Sequence, residues 1–253
     1  MKITGNTILI TGGGSGIGRG LAEALAKAGN QVIVSGRRRK MLDEVVAANP
    51  AIRAVVLDVE DAAGIRAFAA QMQREFPKLN VLVNNAGIMR PENLQAQTDD
   101  LADAEAMLRT NVLGPMRLTA ALLPLLRKQD RSAIINVSSG LAFVPLAMTP
   151  TYCATKAAIH SYTQSLRWQL RKTTTQVIEI APPYVQTHLM GTQQASDPRA
   201  MPPADFVGEV MQILKVQPDA VEVCVERVKG LRFAAEYGKY DATFVGLNEA
   251  MSS

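Results

Sequence analysis

The stretch Thr7-Ile8-Leu9-Ile10-Thr11-Gly12-Gly13-Gly14-Ser15-Gly16-Ile17-Gly18 decides the fold. Thr7 to Ile10 is a short apolar run that fits a buried strand. It enters a glycine turn directly. A helical pattern follows on Leu21, Leu25 and Ala28 until Gly29 stops it. Glycines let a backbone approach a pyrophosphate, and a helix N-terminus offers unpaired N–H groups and the positive end of its dipole. A glycine turn alone is weak evidence, but strand before and helix after meet the context for a dinucleotide site.

The rest of the chain repeats the alternation. Strands are expected at Gln31 to Ser35, Ala54 to Leu57, Val81 to Val83, Ala133 to Val137, Val177 to Ile180 and Ala220 to Val225. With the first run these make seven, separated by helical patterns. The expected architecture is α/β, a single-domain Rossmann fold with a doubly wound seven-stranded parallel sheet and helices on both faces. Ligand then belongs at the carboxyl ends of the strands. At the second strand end, an acid would bind both ribose hydroxyls of NAD, whereas arginine suits the 2′-phosphate of NADP. Gly36 stands there, followed by Arg37 and Arg38 with no competing acid, so NADP(H) is favoured and NAD(H) is possible. Arg39 and Lys40 read as a solvated start to the next helix.

Thr98 to Arg127 is one long helical pattern opened by Asp99 and Asp100. Asn111 is a poor interior helix former, and Pro115 lacks the N–H that would reach its carbonyl, so a distortion is expected there. The strand ending at Ser138 and Ser139 leads through a Pro145 loop to Tyr152, after which nineteen residues contain no helix breaker. Tyr152 and Lys156 share one face of that helix, four residues apart. An ammonium beside a phenol lowers the ordinary phenol pKa of about 10 and makes it a better acid-base group.

Ser139 followed thirteen residues later by Tyr152-x-x-x-Lys156 resembles the active site of the short-chain dehydrogenase/reductase family. So do Thr11, Gly12, Gly16 and Gly18 in a Thr-Gly-x-x-x-Gly-x-Gly pattern, and Asn84-Asn85-Ala86-Gly87. The resemblance implies an NADP(H)-dependent oxidoreductase interconverting a carbonyl and an alcohol. Tyr152 would be the general acid/base, Ser139 would steady the substrate oxygen, and Lys156 would hold the nicotinamide ribose and tune the phenol. Asn111 would anchor a relay water. The cofactor-binding set would be Thr11, Gly12, Gly14, Ser15, Gly16, Ile17, Gly18, Arg37, Arg38, Asp58, Val59, Asn85, Ala86, Gly87, Tyr152, Lys156, Pro182, Val185 and Thr187. Asp58 would meet the adenine amino group and Thr187 the carboxamide.

Two departures stand out. Pro183 replaces the usual glycine and rules out positive φ in that turn, and the common C-terminal Asp-Gly-Gly is absent. Both features resemble the branch of small oxidoreductases named for the D-alanine (teichoic-acid) esterification cluster. From His188 to about residue 205 no period is sustained and three prolines intervene, which predicts a substrate lid.

Length and composition set the bounds. With 253 residues and 47% hydrophobic content the chain supports a sizeable core. The two cysteines, Cys153 and Cys224, cannot form a disulfide framework or a four-ligand zinc site, and no metal is expected. No secretory pattern or apolar run of about 20 residues occurs, so no membrane partner and a cytoplasmic location are expected. A net charge of +4 permits nucleic-acid binding, but bases and acids are interspersed outside Arg37 to Lys40, which argues against it. His160 and His188 read as packing or surface residues. The resemblance implies a homodimer through the helices around Asn111 and Tyr152, with Leu122, Tyr162 and Trp168 as candidate contacts. The alternative from another class is a regulatory protein that senses NADPH without turnover.

Overall fold

The computed structural model describes residues 1–96 and 100–252. Its framework is β1 (Thr7–Thr11), α1 (Gly16–Lys27), β2 (Gln31–Gly36), α2 (Arg39–Ala48), β3 (Ile52–Val56), α3 (Ala62–Glu75), β4 (Val81–Asn84), α4 (Ala102–Leu108), α5 (Gly114–Leu126), β5 (Ser132–Val137), α6 (Pro150–Leu170), β6 (Thr175–Ile180), α7 (Thr192–Ser196), α8 (Pro203–Val216), β7 (Glu222–Val223), α9 (Lys229–Arg232) and α10 (Tyr240–Ser252). The strands form one parallel sheet in the order β3-β2-β1-β4-β5-β6-β7. Chain direction across the sheet reverses between β1 and β4, and the crevice there is where open α/β sheets take ligands.

Alternation along the strands builds the two cores. Ile8 and Ile10 point to one face and pack with Leu21 and Leu25 of α1, Leu42 of α2, and Phe206 and Val210 of α8. Leu9 and Ile33 point to the other, against Phe68 and Met72 of α3, Leu118 and Leu122 of α5, and Leu166 of α6. Both faces are covered, so the strands are apolar almost throughout.

The expected distortion near Asn111 is a π-helical segment, Arg109–Leu113, between α4 and α5. The Gly114 N–H donates to the Arg109 carbonyl, five residues back. Pro115, with no N–H, prevents the regular ladder from passing through. Of the expected helix start, Thr98 and Asp99 lie outside the described residues.

Helix α3 is capped by Asp61, whose side chain accepts from the Ala63 N–H, and Asp58 turns the residues before it by accepting from the Glu60 N–H at 3.0 Å. Two expectations need correction. The seventh strand is two residues rather than six because it pairs only with the end of β6. Leu122 is fully buried in the core and Tyr162 is half-buried against it, so of the three candidate dimer contacts Trp168, 68% exposed, is the one left largely open to solvent. Among the described residues no helix is long and apolar enough to cross a membrane.

Candidate active site

The β1 turn and the β4 end are locked together before any ligand is considered. Thr11 Oγ accepts from the N–H groups of Asn85 and Ala86, both at 3.0 Å, and the Asn85 amide donates to the Thr11 carbonyl at 2.9 Å. Gly12 sits at φ +66°, and a Cβ there would lie 2.9 Å from the Ala86 Cα. At Gly18 a Cβ would fall 2.3 Å from the Asn85 amide nitrogen. Any side chain at either place would push the two strand ends apart.

In front of this lock lies a cleft of about 500 Å³, within the ordinary range for small-molecule sites. Its walls bring together Gly12, Gly14, Ser15, Gly16, Ile17, Gly18, Arg37, Arg38, Val59, Asn85, Ala86, Gly87, Ser139, Tyr152, Lys156, Pro182, Val185 and Thr187. Three of the residues expected at the site are not on the wall. Thr11 is buried behind it as the clasp just described, Asp58 is exposed beyond it with one oxygen on the Glu60 N–H, and Asn111 stands one layer back.

Asn111 is 2% exposed and its side-chain hydrogen bonds go to its neighbours. Its Oδ1 accepts from the Ile88 N–H at 2.9 Å, and its amide donates to the Ile88 carbonyl at 2.9 Å and to Thr155 Oγ at 3.1 Å. Thr155 in turn donates to the Tyr152 carbonyl at 2.7 Å. The π segment thus ties the β4 loop to the helix that carries Tyr152. The Asn111 carbonyl has lost its regular helical partner, because Pro115 has no N–H.

Helix α6 begins with Pro150 and has no side-chain cap of its own at Thr149. Glu92 supplies it from the loop after β4, taking the Thr151 N–H at 2.9 Å and its hydroxyl at 2.8 Å. Tyr152 and Lys156 are each 5% exposed. Burial pushes the phenol well above its ordinary pKa, and the Ser139 hydroxyl against it draws it partly back. Burial also pulls the lysine down to about 8, opposed by the carboxylate of Glu179. The Lys156 Nζ donates to the Val137 carbonyl at 2.9 Å and lies 5.5 Å from the centre of the Tyr152 ring. Burial therefore sets the direction for the phenol in the free protein, opposite to the lowering expected from Lys156.

At the end of β2 Gly36, Arg37 and Arg38 line the cleft. The sequence showed no competing acid near them, but the fold brings one. Glu60, in the turn after β3, accepts from Arg37 at 3.2 Å, from Thr110 Oγ at 2.7 Å, and lies 3.7 Å from Arg109.

The segment from His188 to about residue 205, expected as a lid, is more regular than a plain loop. It contains α7, and the buried Gln194 donates to the Val185 carbonyl at 2.8 Å while accepting from the Met190 N–H at 3.0 Å. The C-terminal tail, unreadable from sequence, packs beside it. Asn248 of α10 accepts from the Ala147 N–H at 2.6 Å and donates to the Pro145 carbonyl at 3.2 Å, and Arg199 donates to the Ala250 carbonyl at 2.7 Å. Leu247 and Met251 pack into the apolar cluster of Met89, Met107, Leu146, Tyr152 and Cys153.

A glycine-lined turn at a strand-to-helix junction, opening onto a buried Ser-Tyr-Lys group, defines a dinucleotide-dependent oxidoreductase of the doubly wound class. The chain belongs to the short-chain dehydrogenase family, whose profile matches residues 6–198. It is 42% identical to the uncharacterized oxidoreductase DltE of Bacillus subtilis (strain 168), over 98% of each chain. Among solved structures it is similar to a short-chain dehydrogenase from Burkholderia cenocepacia J2315 in complex with NADP, at 26% identity and a TM-score of 0.81 over 98% of this chain and 99% of that one. It is also similar to the 3-ketoacyl-(acyl-carrier-protein) reductase of Brucella melitensis complexed with NADH, at 28% identity and a TM-score of 0.78 over 90% of this chain and all of that one.

Proposed function

We propose that the protein is an NADP(H)-dependent oxidoreductase that interconverts a carbonyl and an alcohol, with Tyr152 as general acid/base. The observation that carries this reading is the convergence of Ser139, Tyr152 and Lys156 on one wall of the cleft whose opposite end is the glycine turn. The cradle suits a dinucleotide, since at Gly12 and Gly18 even one added carbon would collide with the β4 end, and the α1 N-terminus faces the same space.

When bound, the nicotinamide supplies or takes the hydride. The chain's own residues handle the proton. In reduction Tyr152 donates its phenolic proton to the substrate oxygen, and in oxidation the phenolate recovers it. A phenol held protonated by burial suits the reductive direction at neutral pH. The Ser139 hydroxyl bonds the same oxygen and fixes it against the phenol. Lys156 spends one N–H on Val137 and keeps two for ribose hydroxyls. Asn111 acts as a positioning residue by holding Ile88 and Thr155. The guanidinium groups of Arg37 and Arg38 favour a 2′-phosphate, with Glu60 moderating the preference. The apolar cluster beside Tyr152 favours a substrate with a hydrocarbon flank.

Titration with NADPH followed by a panel of ketones and aldehydes tests the proposal. Oxidation of the bound cofactor by some member of the panel is expected. Stoichiometric binding with no turnover on any carbonyl would replace the enzyme with an NADPH sensor.

A further inference from the structure

The wall of the cleft carries one sign of charge. Its basic side chains include Arg37, Arg38, Arg90 and Lys156, and among the described residues no aspartate or glutamate stands on it. In the proposed reaction Arg37 and Arg38 meet the 2′-phosphate and Lys156 meets the nicotinamide ribose. That leaves Arg90 without a task, together with His188 on the same wall.

Both come from segments that pack beside Tyr152. Arg90 belongs to the loop after β4, where Met89 joins the apolar cluster of Tyr152 and Glu92 holds Thr151, the residue before Tyr152. His188 belongs to the segment after β6, and its neighbour Leu189 packs onto that cluster too. Two loops from different strand ends therefore each bring a basic group to the Tyr152 side of the cleft.

The Arg90 guanidinium is held in place but not neutralised. It donates to the Met89 carbonyl at 3.2 Å. Asp103 lies 3.8 Å from its Nε, beyond hydrogen-bond range, and a pair between two such exposed side chains is weak. Glu92, two residues on, has both oxygens on Thr151. A guanidinium carries five N–H donors in a planar fork that matches the oxygens of a carboxylate or a phosphate. The phenol, by contrast, lies in apolar surroundings. A substrate that satisfies both has a hydrocarbon stretch beside Tyr152 and an anionic group at the exposed rim.

We propose that the substrate carries an oxyanion as well as its reacting carbonyl or alcohol, and that Arg90 binds this oxyanion, with His188 offering a second donor. The inference rests on the oxidoreductase reading and adds a substrate class to it. Carboxylate and phosphate share the required chemistry, and the test separates them.

The test compares matched carbonyls with NADPH: levulinate and its methyl ester, pyruvate and its methyl ester, and hydroxyacetone phosphate beside hydroxyacetone. The charged member of at least one pair should be favoured by about tenfold to a hundredfold in kcat/KM, mainly through KM. A preference for levulinate or pyruvate assigns a carboxylate, and one for hydroxyacetone phosphate assigns a phosphate. In Arg90→Gln the preference should fall by about tenfold or more, and Arg90→Lys should restore part of it. A preference unmoved by His188→Gln would strike the histidine from the site. Equal use of charged and neutral partners by the wild type, or an Arg90→Gln protein that keeps the preference, would overturn the inference and leave the oxidoreductase standing. If no carbonyl is turned over, the oxidoreductase reading fails and binding decides the inference. Calorimetric titration of the protein with NADP+ bound should then still show the charged member of a pair binding about tenfold tighter, an advantage lost in Arg90→Gln. Equal affinities would overturn it. A tenfold weaker NADPH affinity in Arg90→Gln with no change in substrate preference would assign the arginine to the cofactor instead.

Discussion

The Arg37 guanidinium lies 3.2 Å from the Glu60 carboxylate, so the residue best placed to meet a 2′-phosphate is already held by an acid from a different strand end. Arg37 is about half exposed there, and an ion pair of that kind contributes only about 0 to 1 kcal/mol. A hydrogen bond to a charged group contributes about 1.5 to 3 kcal/mol. With NADP(H) as the proposed cofactor, its 2′-phosphate should therefore win the arginine from Glu60. Arg37→Ala should weaken NADPH binding by about tenfold to a hundredfold and leave NADH nearly unchanged. Glu60→Gln should tighten NADPH by up to about fivefold, and Gly36→Asp should favour NADH. Dissociation constants for both cofactors on these variants check the set, and tighter NADH than NADPH binding to the wild type would overturn the preference.

Replacing Asn111 by leucine removes three hydrogen bonds and strands the polar backbone of Ile88. Each buried group left unsatisfied costs about 1 to 3 kcal/mol. Denaturant unfolding should show a loss of about 3 kcal/mol or more with little change in slope. A loss below about 1 kcal/mol would mean that the clamp is not formed.

Lys156 also makes a prediction about stability against pH. Its pKa falls from 10.5 to about 8 on folding, so between those values the unfolded chain binds more protons than the native one. Stability should therefore gain from this group as pH rises from about 8 toward 10, by about 3 kcal/mol at most. Tyr152, raised on folding, opposes this only above its ordinary value of 10. In Lys156→Met the gain should vanish, as measured by unfolding at a series of pH values. A variant that keeps the same rise would assign it elsewhere.

The grip of Asn248 on Pro145 and Ala147 should shield Cys153, which is 3% exposed and accepts from the Leu146 N–H at 3.3 Å. In a Cys224→Ala background, Asn248→Ala should speed labelling of Cys153 by a thiol reagent by roughly tenfold or more, one lost hydrogen bond to the loop being worth about 1 to 2 kcal/mol. Equal labelling rates would show that the tail does not hold the loop.

Much of this was legible in the sequence because it is local. Glycine turn, strand ends, the helix from Tyr152 and the distortion at Pro115 each follow from neighbouring residues, and the seven-stranded parallel sheet follows from their alternation. What escaped depends on residues far apart in the chain. Glu60 reaches Arg37 only because β2 and β3 are adjacent, Glu92 caps α6 from the loop after β4, and α10 returns to the loop after β5 from the far end of the chain. The raised phenol belongs to the same group. Spacing placed Lys156 beside Tyr152, but burial, a property of the whole fold, decides the sign. The positions of Leu122 and Tyr162 on their helices likewise gave no hint that the first is buried and the second half-buried against the core.

The central claim is that Tyr152 moves the proton while the rest of the cleft binds the cofactor. Single-turnover oxidation of bound NADPH by a responsive carbonyl, measured beside the NADPH dissociation constant in wild type and Tyr152→Phe, separates these roles. The account predicts a rate lower by about 10² to 10⁴ in the variant, with the dissociation constant changed by less than about threefold. A Tyr152→Phe protein that keeps half the wild-type rate would contradict it.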